Sequence, residues 1–271
     1  MKNVVVRSLS GIVYIALIVF CTLSGSYWFL ALTVLLGLGG MYELFRLADN
    51  DEEKKRHPAI YAMDMVAGTA LVITPFYPVL LTLAFLYVPL RLILEIYTKD
   101  EAPLKSVGVS FLSIMYVAFP LAALSQLLLI SRSGSLVLAM FILIWISDTG
   151  AFCVGSLIGR HRLFPRISPK KSWEGFFGGV AFCICAAFIM KQFFGGFFES
   201  ESWLLMISMG VTVPCAATLG DLVESMFKRA AGVKDSGNIM PGHGGFLDRT
   251  DSLLIVSPIV LFLNITLRFL I

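Results

Sequence analysis

The chain has 271 residues, of which 58% are apolar and 14% are charged, and its formal net charge is +3. Ordinary soluble domains carry about 25% charged residues, so this composition excludes an ordinary soluble protein. It indicates an all-α, polytopic integral membrane protein.

Apolar windows long enough to cross a hydrocarbon core of about 30 Å as helices recur along the chain. We predict nine spans, at residues 9–25, 27–46, 58–75, 77–97, 106–130, 134–158, 175–194, 203–229 and 251–271. The short connection at Gly25-Ser26 and the acidic Asp64 in the third span leave counts of eight or ten open. The basic and apolar N-terminal segment is expected to be a retained helix, because no small-residue cleavage site precedes the second span.

The Lys and Arg residues indicate the orientation. With a cytoplasmic N-terminus, all but three of the 21 Lys and Arg residues fall on or near the inner side, the exceptions being Arg132, Lys191 and Arg268. Such asymmetry places the basic loops in the cytoplasm. We therefore expect a multi-pass protein of the inner (cytoplasmic) membrane.

Short connections favour a single membrane domain over residues 1–271. Residues 1–130 are apolar and chemically quiet, and we expect them to serve packing or dimerisation. Arg91 and Glu95 lie four residues apart, a spacing that favours a structural ion pair. Residues 131–271 carry the polar groups.

The stretch WISDTGAFCVGSLIGR, residues 145–160, places Asp148 about half-way along the sixth span. A lone carboxylate facing lipid would cost several kcal/mol, so Asp148 is expected to face protein or water and to be functional. Gly155 and Gly159 have the spacing that lets another helix approach closely, and packing is the favoured interpretation.

A basic loop at residues 160–179 follows, and it contains Arg166, Lys170 and Lys171 with few compensating acids. Such a loop can satisfy the positive-inside rule and touch anionic head groups. It can equally contact a phosphate-bearing substrate, and the residues alone leave both interpretations open.

The eighth span presents a polar stripe. Four of its residues fall at positions i, i+3, i+4 and i+7 on one helix face: Asp221, Glu224, Ser225 and Lys228. Snorkelling explains Lys228 and Arg229 at the interface, but it does not explain Asp221, which lies about two turns deeper.

The segment KDSGNIMPGHGGFLDRTD, residues 234–251, is rich in glycine and ends in Asp248 and Asp251. Glycines permit close approach of the backbone to a ligand. Asp248 and Asp251, together with Asp221 and Asp148, suggest a hard divalent cation held by carboxylates. Four basic residues accompany them and suit phosphate binding: Lys228, Arg229, Lys234 and Arg249.

Residues 225–251, SMFKRAAGVKDSGNIMPGHGGFLDRTD, resemble the C-terminal signature of the phosphatidate cytidylyltransferases, the CDP-diacylglycerol synthases. One departure is Met240, where the family usually has Leu, Ile or Phe. The segments SDTGAF and SPKKSWEG extend the resemblance over roughly the last 130 residues.

The resemblance implies transfer of CMP from CTP to phosphatidate at the cytoplasmic face of the bilayer. It implies Mg²⁺ as the cofactor and leaves a second cation open. It also implies a homodimer, and no nucleic acid is expected as a partner. Asp221 and Asp248 are the expected metal ligands, with Asp148 and Asp251 as further candidates. The expected catalytic residues are Asp221, Asp248, Asp251, Lys228, Arg229 and Lys234. The expected phosphate-binding residues are Arg166, Lys170, Lys171, Ser225, His243, Gly244, Gly245 and Arg249.

Two other functions compete with this interpretation. A CTP-dependent polyprenol or phytol kinase would transfer the γ-phosphate to an alcohol. A transporter could also place acids within the membrane, but it should show an internal repeat with paired broken helices, and the sequence shows none.

Overall fold

The computed structural model describes residues 2–49, 57–98, 101–131, 133–198, 201–237 and 244–270. Eleven α-helices and one two-stranded sheet occur within these ranges. The helices of the first half are α1 (Lys2–Leu23), α2 (Ser26–Ala48), α3 (Pro58–Ile73), α4 (Leu81–Thr98, preceded by a 3₁₀ turn at Pro78–Leu80) and α5 (Pro103–Ser113). A π-helical turn at Ile114–Ala118 joins α5 to α6 (Phe119–Ser131).

The second half contains α7 (Ser135–Ile158), α8 (Trp173–Phe193), α9 (Gly195–Phe198), α10 (Trp203–Ala230) and α11 (Leu247–Leu270). Strands β1 (Arg162–Phe164) and β2 (Ser168–Ser172) form an antiparallel hairpin between α7 and α8. The basic loop predicted at 160–179 therefore contains a hairpin and the first two turns of a helix.

Seven helical segments in the described ranges are long and apolar enough to cross a membrane. The first and third predicted spans correspond to shorter apolar stretches, Ser10–Leu23 and Pro58–Ile73. Helix α1 begins at Lys2, well before the predicted start at residue 9, whereas the other helix boundaries agree with the predicted spans to within a few residues. The all-α, polytopic fold is confirmed.

The chain divides into two compact units. The first comprises residues 1–126 and 231–250, and the second comprises residues 127–230 and 251–271. We call the glycine-rich residues 234–251 the signature segment; its described residues 234–237 and 244–250 belong to the same unit as the N-terminal half of the chain.

The first unit contains a buried polar network on α3, α4 and α5. The fully buried Arg91 donates to Glu95 (2.6 Å), to the Ser106 hydroxyl (2.8 Å) and to the Ser110 hydroxyl (2.9 Å). Asp64 accepts hydrogen bonds from Ser110 and from Tyr87, and its Oδ1 lies 3.7 Å from Arg91. The predicted structural pair of Arg91 and Glu95 is confirmed, and its wider network explains how Asp64 can lie inside an apolar helix.

The second unit is organised by close packing of α7 against α8. A Cβ on Gly175 would lie 2.7 Å from the Ala151 carbonyl oxygen and 3.2 Å from Gly155 Cα. A Cβ on Gly159 would lie 2.6 Å from the Ser172 hydroxyl. The expected packing role of Gly155 and Gly159 is confirmed, because lipid-immersed helices associate through such close contacts.

Candidate active site

The polar stripe of α10 meets the start of α11. One carboxylate oxygen from each of Asp221, Glu224 and Asp251 lies within 4.8 Å of the others. We call these three residues the carboxylate cluster. Glu224 is 1% exposed, whereas the two aspartates are half-buried.

A glycine allows this meeting. A Cβ on Gly220 would lie 2.6 Å from the Asp251 carbonyl oxygen and 2.9 Å from Ser252 Cα, so only glycine permits α10 and α11 to cross so closely. The Ser252 hydroxyl donates to the Ala217 carbonyl oxygen (3.2 Å) at the same crossing. The cluster therefore depends on backbone contact between two helices.

Two lysines pair with the carboxylate cluster. The ammonium group of Lys228 lies 2.5 Å from Glu224, one helical turn away on α10. That of Lys171, on β2, lies 2.5 Å from Asp221. The two lysine ammonium groups lower the electrostatic repulsion among the three carboxylates of the cluster.

The hairpin that carries Lys171 is fixed to the start of α8. Glu174 accepts hydrogen bonds from the backbone N–H groups of Arg160 (3.1 Å) and His161 (3.2 Å), and its Oε1 lies 2.6 Å from His161 Nδ1. Ser172 caps α8 by accepting from the Gly175 N–H (3.2 Å). These contacts hold the basic strand in a defined position.

A cavity of about 420 Å³ opens between the hairpin, α7 and α8. Asp148 is among its lining residues, and a functional role for this carboxylate stays a prediction. Its other polar or charged lining residues include Arg162, Lys170, Lys171, Ser172 and Thr218, and its apolar ones include Phe152, Leu163 and Phe176. Lys171 lines this cavity and also forms the ion pair with Asp221, so it connects the cavity to the carboxylate cluster.

Asp248 lies in the first unit, in a different set of contacts. Its Oδ2 accepts hydrogen bonds from the N–H groups of Ser236 (2.9 Å) and Gly245 (2.8 Å). Gly244 has a φ of +81°, a conformation that favours glycine. The sharing of one ion by Asp221 and Asp248 stays a prediction.

The remaining predicted site residues differ in exposure. Arg166, Arg229 and Lys234 are exposed, whereas Ser225 and Arg249 are half-buried. Arg166 is absent from the lining of the cavity that contains Lys170 and Lys171. His243 lies outside the described residues.

Two acids were not assigned from the sequence. Glu224 was recognised in the polar stripe but not as a candidate ligand, although its i+3 spacing from Asp221 was the available signal. Glu43 lies in the second span and was not singled out, although an acid within an apolar span was the signal that identified Asp148.

Comparisons with known proteins give a consistent result. The model of the cytidylyltransferase family matches residues 5–267. A protein of Staphylococcus epidermidis named phosphatidate cytidylyltransferase is 47% identical over 124 residues, which cover 46% of this chain and 46% of that protein. Proteins of the same name from Staphylococcus saprophyticus and Staphylococcus aureus are 40% identical over 167 residues and 46% identical over 126 residues. The match to the Staphylococcus saprophyticus protein covers 61% of this chain and 62% of that protein. The match to the Staphylococcus aureus protein covers 46% of each. The chain thus spans about half the length of the curated relatives it matches.

Proposed function

The chain belongs to the cytidylyltransferase family, and on this premise we propose that it transfers CMP from CTP to phosphatidate, yielding CDP-diacylglycerol and pyrophosphate. The observation that carries the proposal is the carboxylate cluster in contact with Lys171, a residue of the cavity lining. Nucleotidyl transfer requires stabilisation of phosphate charge, and metal-binding carboxylates and lysines supply it. The shared name of the relatives favours this activity over a lipid kinase or a transporter.

The donor set of the cluster fits Mg²⁺. This ion prefers oxygen ligands, uses one or two carboxylates, and completes its octahedron with water and substrate phosphates. We propose that its one or two carboxylate ligands would come from Asp221, Glu224 and Asp251, with Asp148 and Asp248 as candidates for this ion or a second cation. When bound, Mg²⁺ would neutralise charge that develops on the phosphate oxygens.

The reaction joins two anions. A phosphate oxygen of phosphatidate bonds to the α-phosphorus of CTP, the bond from that phosphorus to the bridging oxygen breaks, and pyrophosphate leaves with the electron pair. The attacking oxygen is already anionic near neutral pH, so no strong general base is needed. Lys170 and Lys171 reduce the repulsion between the substrates.

The ion pair of Lys171 with Asp221 suggests how the lysine is used. If a divalent cation bound to Asp221, it would compete with the Lys171 ammonium group for the same carboxylate oxygen. Lys171 would then be available to bind a substrate phosphate. The apolar residues Phe152 and Phe176 of the cavity suit the hydrocarbon part of a lipid substrate.

The distribution of Lys and Arg supports a site that faces the cytoplasm, where CTP is found. We place the protein in the cytoplasmic membrane, and we propose a homodimer that associates through residues 1–130.

Labelled nucleotide tests the reaction. Purified protein in detergent is incubated with phosphatidate, Mg²⁺ and CTP labelled at either the α- or the γ-phosphate. We expect the α-label in the lipid fraction and the γ-label in pyrophosphate. Recovery of the γ-label in lipid would instead identify a lipid kinase, and no transfer of either label would contradict both enzymes.

A further inference from the structure

Glu43 is a buried carboxylate in the half of the chain that was expected to be chemically quiet. It lies near the C-terminal end of α2, and only 1% of it is exposed. A buried acid in an apolar helix is costly unless donors surround it. Its partners therefore indicate what the residue does.

All of the hydrogen-bond partners that Glu43 has among the described residues lie in the signature segment. Its Oε1 accepts from the Phe246 N–H (2.9 Å), and its Oε2 accepts from the Leu247 N–H (2.9 Å) and lies 2.8 Å from the Ser236 hydroxyl. Leu247 is the first residue of α11 and Phe246 precedes it, and backbone N–H groups at the start of a helix lack partners within the helix. A carboxylate there also interacts favourably with the helix dipole.

The glycines of the signature segment make room for this carboxylate. A Cβ on Gly237 or on Gly245 would collide with the Glu43 carboxylate oxygens. On α2, a Cβ on Gly39 would collide with the ring of Phe246. Glycines in α2 and in the signature segment thus allow the Glu43 side chain to approach the backbone of the signature segment closely.

The Glu43 contacts extend to Asp248 through Ser236. The Ser236 hydroxyl lies 2.9 Å from Asp248 Oδ2, and the Ser236 N–H donates to the same oxygen. The Gly245 N–H, next to the two amides bound by Glu43, also donates to Asp248. A movement of Glu43 would therefore displace the donors that orient Asp248.

We propose that Glu43 is a positioning residue that holds Ser236 and the start of α11 so that Asp248 keeps its orientation for the reaction. The inference rests on the proposed function, in which Asp248 is a site residue. Glutamine cannot replace Glu43, because all three partners can donate and both carboxylate oxygens accept, whereas an amide offers a single acceptor oxygen.

Glu43→Gln tests the proposal, with Glu95→Gln as a matched control. Glu95 is also a buried acid of the first unit, but its partners are Arg91 and the Ser106 hydroxyl, neither of them in the signature segment. Both variants should have a lower Tm, because each disrupts a buried polar contact. Only Glu43→Gln should accelerate amide hydrogen exchange at residues 244–250, by about tenfold or more.

Kinetics then separate positioning from folding. For the folded fraction of Glu43→Gln we expect kcat to fall by about tenfold or more while the KM for CTP changes less than about twofold, since the cavity lining is intact. Glu95→Gln should keep the wild-type kcat. Unchanged exchange at 244–250, an unchanged kcat, or an equal loss of kcat in both variants would overturn the proposal.

A milder variant covers the case in which Glu43→Gln does not fold. Ser236→Ala removes one hydroxyl between Glu43 and Asp248 and should produce the same changes at smaller size. If this variant kept the wild-type kcat and the wild-type rate of amide hydrogen exchange at residues 244–250, the coupling of Glu43 to Asp248 would be contradicted. If the wild-type protein transfers no α-label from CTP to lipid, the proposed function fails, whereas the exchange measurement still tests the contact.

Discussion

Asp248 and Asp251 lie three residues apart at the start of α11, and they have different partners. Asp248 accepts hydrogen bonds from backbone N–H groups of the signature segment, whereas Asp251 joins Asp221 and Glu224. A carboxylate satisfied by N–H donors is held in one orientation, whereas clustered carboxylates repel each other unless cations neutralise them. The two aspartates thus differ in what surrounds them: backbone donors orient Asp248, whereas Asp251 lies among acids whose repulsion cations relieve.

Asparagine variants test the carboxylate cluster. Asp221→Asn and Asp251→Asn retain the side-chain size but remove a charge, and each should lower kcat/KM on the order of 10²-fold or more because the cation loses a ligand. The double variant should be little worse than either single one, since both residues would serve the same ion. The measurement is CMP transfer across a Mg²⁺ titration, with the unfolding transition in detergent as the control for folding. Near wild-type activity of either variant at saturating Mg²⁺ would contradict the assignment.

At the scale of elements, the position of Lys171 depends on the contact between α7 and α8. The hairpin leaves the end of α7 and returns at the start of α8, so the two helix ends fix both of its strands. The close approach of Gly175 to Ala151 and Gly155 sets the separation of these ends. Small residues in this contact therefore determine where the basic strand lies.

Gly175→Ala should destabilise this contact. The added Cβ would lie 2.7 Å from the Ala151 carbonyl oxygen, a backbone atom that cannot move without shifting α7. Overpacking of this kind costs roughly 1–3 kcal/mol, more than the 0.5–1 kcal/mol that alanine typically gains over glycine in a helix. Thermal unfolding in detergent should show a lower Tm.

Gly108→Ala is the matched control, because a Cβ on Gly108 in α5 meets no atom within 4 Å. Its Tm should equal or slightly exceed that of the wild type. A Tm of Gly175→Ala at or above the wild-type value would show that α7 and α8 are not held by this close approach.

At the scale of the whole molecule, the signature segment is divided between the two compact units. Residues 231–250 belong to the first unit and Asp251 to the second, although the residues are contiguous in sequence. The apolar N-terminal half therefore supplies part of the packing around the signature segment. The N-terminal half therefore contributes contacts to the signature segment in addition to its membrane helices.

The orientation of the molecule can be tested with sealed vesicles. Inverted vesicles expose the cytoplasmic side, so they should transfer CMP from added CTP without detergent, because CTP does not cross a bilayer. Right-side-out vesicles should become active only after permeabilisation. Detergent-treated samples of both preparations serve as the control for equal enzyme content, and activity confined to intact right-side-out vesicles would reverse the orientation.

Much of the fold followed from local patterns. Apolar length located the membrane helices to within a few residues, and the helical period placed Asp221, Glu224 and Lys228 on one face of α10. The expected pair of Arg91 and Glu95 was also a local feature, one turn apart on α4. Its extension to Asp64 on α3 could not be foreseen, because that contact joins different helices.

The sequence by itself determined the class of the protein, its apolar helices and the residue types of the candidate site, because hydropathy and helical period act between neighbours in the chain. Only the tertiary structure decided which acids meet. Gly220 lets Asp251 approach α10, and Glu43 reaches Phe246 across 203 residues of sequence. Such contacts depend on how closely helix backbones pack, and no spacing within one segment encodes that distance.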